Sequence, residues 1–219
     1  MALLLKGGGV FLHVPKTGGN WVTTVLKEAG LVQRDFGYHK HLDWHRTAEC
    51  SGLQPFWKRF LPSCMWSDMR SAYTFCFVRH PLSWYESWWR YMSQPKVSWK
   101  NFEDENNHRY WHPNAFLNGL GDTDFCSFVS NVLAKRPGYV SEMFSWFAHP
   151  SIGMVGKQES LREDLVRALH MQNLNFDEQF FMDYPAVGVS QVRDEIVWED
   201  SLREDALRLE HAAITRYGY

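Results

Sequence analysis

Four cysteines in 219 residues, Cys50, Cys64, Cys76 and Cys126, include no C-x-x-C pair. This excludes the paired-thiol redox and zinc-ribbon motifs and a disulfide-dense secreted scaffold, so the four read as reduced thiols. Neither charge is in excess: 23 Lys and Arg stand against 25 Asp and Glu, a net −2. A chain so balanced offers no global field for nucleic acid or another polyanion, although a local basic groove is compatible with it. Long apolar runs are missing too. The N-terminal run is only Ala2 to Leu5, short of a signal-peptide core and far short of the roughly 20 residues that span a bilayer. There is no internal repeat and no low-complexity segment. The length suits one domain that buries about 70% of its unfolded surface.

What is present begins with HVPKTGGNWV, His13 to Val22. It follows an apolar run, Gly9 to Val14, that reads as a strand, and precedes a helix expected over Asn20 to Ala29 with Gly30 as its stop. Strand, glycine turn and helix in that order aim backbone N–H groups and a positive helix end at one point, where a phosphate or sulfate is held. Lys16 adds a fixed charge. The nucleotide-triphosphate loop needs its Lys-Ser/Thr pair after the last glycine, whereas Lys16 and Thr17 precede Gly18 and Gly19, so a different phosphorylated ligand is expected.

Ala72 to Val78, AYTFCFV, is apolar and too short for a helix, as a buried parallel strand would be. It runs into Arg79, His80 and Pro81, then a helix over Leu82 to Met92. Ligands of open α/β sheets bind at such carboxyl ends. Further helices are expected over Asp124 to Ala134 and Ser141 to Phe147, and a short strand over Ile152 to Val155. A helix then carries a Ser160/Glu163 capping box and a Leu161, Leu165, Val166, Leu169 stripe, and a last helix runs from about Trp198 to Tyr217. Residues 46–71 show no period. Ser93 to Asp122 is polar and aromatic, either disordered or a lid.

PKTGGNW resembles the 5′-phosphosulfate loop of sulfotransferases that use 3′-phosphoadenosine 5′-phosphosulfate (PAPS). Arg79 and Ser87 keep the family's spacing for the pair that grips the 3′-phosphate. GYHKHLDWHR, Gly37 to Arg46, resembles the histidine segment of the heparan sulfate 2-O- and 6-O-sulfotransferases, where a His accepts the proton of the sugar hydroxyl. VGKQESLREDL and the closing ITRYGY also look family-like. The resemblance implies a three-layer α/β sandwich with a mostly parallel sheet, related to the phosphate-loop kinases, and the order of elements agrees with that independently.

It also implies site residues. His41 is the expected base, with His39 as its competitor; neutral imidazole suits proton abstraction, its unperturbed pKa lying near 6.5. Lys16 and the N–H groups of Thr17, Gly18, Gly19 and Asn20 would hold the 5′-phosphosulfate and offset charge on the bridging oxygen. Asn20 stands where relatives carry Ser or Thr, though its amide still donates. Trp21 matches an aromatic that lies against adenine in the cytosolic branch, with core packing as the alternative. Ser190 and Arg193 fall where relatives fold over the cofactor.

The expected reaction is transfer of the sulfuryl group from PAPS to an acceptor hydroxyl, leaving 3′-phosphoadenosine 5′-phosphate (PAP), with no metal. His39, His41 and His45 also form an H-x-H-x3-H array that zinc would fit, but no acidic or Cys partner lies at a ligand spacing. A carbohydrate is the first choice of acceptor, with tryptophans such as Trp84, Trp88, Trp89, Trp99 and Trp111 as stacking surfaces or as core. A small alcohol, phenol or lipid comes second. Neither nucleic acid nor a membrane span is expected, and a cytoplasmic enzyme is, because Golgi relatives carry an anchor before the equivalent strand. A kinase on this fold would need a metal-holding Asp at a strand end, which is not visible. A catalytically silent nucleotide- or glycan-binding module is the other class.

Overall fold

The computed structural model describes residues 2–36, 41–50, 72–97, 99, 112–188 and 196–219. His39, Ser190, Arg193 and Trp111 lie outside the described residues. The chain forms two compact units, one from Met1–Val78 and Trp146–Gly188, the other from Arg79–Ser145 and Val189–Tyr219. Helices follow as α1 (Gly19–Glu28), α2 (Trp44–Cys50), α3 (Pro81–Met92), α4 (Phe125–Lys135), α5 (Tyr139–Phe147), α6 (Leu161–His170), α7 (Glu178–Asp183), α8 (Asp200–Leu209) and α9 (His211–Tyr217).

The first unit holds the sheet. Leu3–Leu5 (β1) and Val10–Leu12 (β2) form a hairpin, its turn passing through Gly8 at φ +79°, a conformation glycine adopts without steric cost. Val32–Asp35 (β3) pairs antiparallel with β1, while Thr74–Val78 (β4) and Met154–Lys157 (β5) add in parallel beyond β2, giving the order β3-β1-β2-β4-β5. The fold is therefore α/β with a mixed sheet and a parallel core. β1 runs against both of its neighbours. Because β2, β4 and β5 are parallel, their carboxyl ends share one edge.

Alternation places Phe11, Phe75 and Phe77 in one core with Trp21, Val22, Val25 and Leu26 of α1, Leu165, Val166 and Leu169 of α6, and Phe181 of α7. The intervening Val10, Leu12, Cys76 and Val78 are buried as well, so β2 and β4 are covered on both faces, the condition that makes such strands read as continuous apolar runs. Gly30, at φ +66°, follows α1 as expected. At α6 the expectation is corrected: Ser160 is the N-cap residue but makes no capping bond. Its hydroxyl instead donates to Asp164 (2.9 Å), which also accepts from the Lys157 N–H (2.6 Å) and from Arg167 (2.7 Å). A buried carboxylate has drawn the Ser away from the backbone, since charge-assisted bonds are the stronger.

The second unit is helical among its described residues. Pro81 opens α3, and His80 caps it by accepting from the Leu82 N–H; Pro81, Leu82, Trp84, Tyr85, Trp88 and Met92 are its buried residues. Trp84 and Trp88 stack at 5.9 Å, which makes them core. Trp99 packs on Gly121 and Phe128. Asp124 caps α4 through the Ser127 N–H (2.7 Å). The expected last helix is two, α8 and α9, broken at Glu210. That residue is fully buried. Its carboxylate accepts from the Tyr85 hydroxyl (2.7 Å), the N–H groups of Val140 and Ser141 (3.1 and 2.7 Å) and the Ser141 hydroxyl (2.7 Å), so it caps the first turn of α5 and offsets the positive end of that helix. Burial, reinforced by the Glu210 charge, pushes the Tyr85 phenol well above its ordinary pKa.

Candidate functional site

The chain leaves β2 through His13 and Val14 and turns at Lys16, whose φ is +64°. A non-glycine residue in the left-handed region costs strain that the surroundings must offset, and such residues gather at ligand loops. The Thr17 side chain is buried and its hydroxyl donates to the Val14 carbonyl (3.1 Å), which ties the loop to the strand exit and leaves Thr17 only its backbone for a ligand. Gly18 follows at φ +83° and is the N-cap of α1 without any side-chain capping bond. A side chain there would strike Leu161, with Gln158 beside it, so two conformational demands meet on one glycine. Asn20, in the first turn of α1, is exposed.

Gly19 is needed for a different reason. A Cβ on it would overlap the Cδ2–Nε2 edge of His13, whose ring is buried at 3% exposure. Next to that ring lies the histidine segment. Asp43 caps α2 by accepting from the Arg46 N–H (2.7 Å), and Leu42 and Trp44 are buried on either side of it, so the run HLDW is fixed in the fold and presents His41 at its start. The His41 and His13 rings meet edge to face, centroids 4.7 Å apart. His41 Nδ1 lies 2.9 Å from the His13 carbonyl oxygen. A carbonyl can only accept, so Nδ1 carries the proton and, in the neutral ring, Nε2 carries the lone pair.

The loop, Gly19, His13 and His41 thus come together within one unit. His45 is used otherwise: it is exposed and stands edge-on to His149, 5.2 Å between centroids, while His149 stacks on Trp44 at 4.0 Å. Among the described residues no group of three metal-ligating side chains is clustered. Trp21 is buried at 4%. Its indole N–H donates to the Pro185 carbonyl (2.9 Å) and the Arg162 guanidinium lies 5.5 Å from the ring centre. Arg162 also holds the Tyr184 carbonyl (2.7 Å), and Gly188 approaches Asn20, whose side-chain nitrogen would lie 3.5 Å from a Cβ there. Residues 184–188 are therefore strapped along the first turns of α1. The Tyr184 phenol bonds to Glu28, which raises its pKa.

Arg79 and Ser87 belong to the other unit. Arg79 follows the last residue of β4, the strand parallel to the one that feeds the Lys16 loop. Ser87 is half-buried in α3. Three participants were not singled out for a role by sequence: His13, Arg162 and Gln158. His13 had a signal, since it heads the motif, but its part depends on Gly19 and on a residue 28 positions away. No helix among the described residues is long and apolar enough to cross a membrane. Set against known proteins, the chain matches no family model, no curated protein and no solved structure.

Proposed function

We propose that this chain is a PAPS-dependent sulfotransferase acting on a hydroxylated acceptor, with a carbohydrate as the first candidate. One observation carries the reading: a histidine held with Nδ1 on a carbonyl oxygen, packed on the residue that leads into a strained, Lys-bearing loop at a helix start with no side-chain cap. Left-handed backbone at Lys16 and Gly18, with a helix N-terminus behind them, makes a concave array of N–H donors suited to a phosphate or sulfate. The resemblance in PKTGGNW, Arg79/Ser87 and HLDW supplies the nucleotide and the reaction class. With it goes the three-layer, phosphate-loop kinase-like fold.

PAPS, when bound, supplies the sulfuryl group. In this reading Lys16 and the N–H groups of Thr17 to Asn20 hold the 5′-phosphosulfate and offset the charge that builds on the bridging oxygen. Arg79 and Ser87 hold the 3′-phosphate and keep the donor in register. His41 Nε2 accepts the proton of the acceptor hydroxyl as that oxygen bonds to sulfur, and PAP leaves. The reaction so written needs no metal.

The test is incubation with labelled PAPS and a broad set of sugar, phenol and alcohol acceptors, alongside calorimetry with PAP and ATP. Transfer of label, with PAP bound far more tightly than ATP, is the expected result. ATP bound as well as PAP would remove the basis of the reading. Tight PAP binding with no transfer to any acceptor would leave a silent binding module.

A further inference from the structure

We propose that His13 is a positioning residue for the base: its carbonyl sets the tautomer of His41, and its ring sets the plane of the His41 imidazole against the first turn of α1. The inference rests on the reading of His41 as a proton acceptor. Two contacts of different kinds support it. The hydrogen bond from Nδ1 to the His13 oxygen fixes which nitrogen is protonated. The edge-to-face contact at 4.7 Å bears on the plane of the ring.

His13 is itself immobilised. Its ring is buried, flanked by Phe11 at 5.9 Å, and set so closely on Gly19 that no Cβ fits between them. The same residue lies three positions before Lys16 on the chain that forms the loop. Loop, helix start and base are thereby referred to one buried side chain. Such a device matters because a free histidine prefers the opposite tautomer, with the proton on Nε2, and in that form His41 would present a donor where an acceptor is required. A misplacement of about 1 Å at a reacting group costs up to about 10²-fold in rate.

The experiment uses the full chain labelled with ¹⁵N-histidine, with the His41 signals assigned by their loss in His41→Asn. In the parent, two-bond ¹H–¹⁵N spectra should show His41 with a protonated Nδ1 and a bare Nε2 at a pH where the ring is neutral. His13→Ala keeps the backbone carbonyl and removes only the ring, so His41 should stay protonated on Nδ1 while its ring signals broaden and kcat falls by about 10²-fold, with the KM for the nucleotide unchanged. His13→Phe, which restores a ring edge, should keep the parent tautomer and recover the sharp His41 signals and most of the turnover. A parent His41 protonated on Nε2 overturns the proposal, and so does a His13→Ala variant with the turnover of the parent. His13→Phe with the parent tautomer but the turnover of His13→Ala also overturns it, because the His13 nitrogens would then take part directly. Should His13→Ala not fold, the parent spectrum and His13→Phe still decide. The spectra are read without substrate, so failure to find sulfuryl transfer would sink the enzyme reading and leave the tautomer result standing by itself.

Discussion

The indole N–H of Trp21 and the carbonyl of Pro185, 164 residues apart in sequence, are joined by a 2.9 Å hydrogen bond. It is one of the ties that strap residues 184–188 to α1. Trp21→Phe keeps most of the buried ring and removes the donor, leaving the Pro185 carbonyl to find water. Urea unfolding should show a loss of about 1 kcal/mol, the scale for one such bond. A loss above about 3 kcal/mol would mean that packing, which depends on ring volume, outweighs the bond.

The same strap should respond to alkaline pH. The Tyr184 phenol donates to Glu28, and this bond raises its pKa in the folded chain. A raised folded pKa contributes stability that is fully present below the unfolded value, near 10, and is lost as pH rises through the folded one. Spectroscopic titration of tyrosinate should therefore lose a late-titrating component in Tyr184→Phe. Proteolysis near residue 185 should increase with pH in the parent and be nearly flat in the variant. A parent titration indistinguishable from that of the variant would show the bond to be absent in solution.

Arg79→Ala tests the nucleotide half of the proposal. Removing one partner of a desolvated charge pair costs about 2 to 4 kcal/mol, and calorimetry with PAP should show a loss of that order. The affinity for adenosine 5′-phosphosulfate, which has no 3′-phosphate, should barely change. Loss under about 0.5 kcal/mol for PAP would show that Arg79 does not touch the phosphate.

His41→Ala should lower turnover by about 10² to 10⁴, the range for a general base, with nucleotide affinity nearly unchanged. The parent rate should rise with pH as the imidazole loses its proton, since only the neutral ring accepts another, and this limb should vanish in the variant. Full activity in His41→Ala, where chemistry limits the rate, would move the role to His39 or elsewhere.

Glu210→Gln addresses the second unit. One carboxylate oxygen accepts from Tyr85 and Val140 and the other from the N–H and hydroxyl of Ser141, so an amide NH₂ must face donors on one side or the other. Denaturant unfolding should show about 2 to 4 kcal/mol of destabilisation, the sum of one lost charge-assisted bond and one unsatisfied donor. A change within 0.5 kcal/mol would mean that water replaces the lost acceptor.

The elements that sequence placed well are those with local punctuation. α1 ends beside Gly30, α3 begins at Pro81 and β4 is an apolar run bounded by polar residues; each lies within two residues of its expected span. β1 and β3 went unread for physical reasons. Three leucines carry no periodicity, and β3 is four residues long with Gln33 and Arg34 exposed. The break at Glu210 had no local signal either, because the groups that draw its side chain inward are 69 to 125 residues away. At the site, the loop and the histidine segment were legible as motifs. The tautomer was not, since it rests on a backbone oxygen 28 residues from the ring.

The hairpin of β1 and β2 and the antiparallel addition of β3 have a bearing on the order in which the molecule assembles. All three strands and α1 lie within the first 35 residues, whereas β5 reaches β4 only across residues 79–153. Loop closure over short separations costs less chain entropy and occurs sooner. As the polypeptide emerges from the ribosome, the Lys16 turn is thus held between a strand and a helix that can pair and coil before the parallel half of the sheet exists, so within this fold the loop takes shape ahead of the strands that complete the sheet.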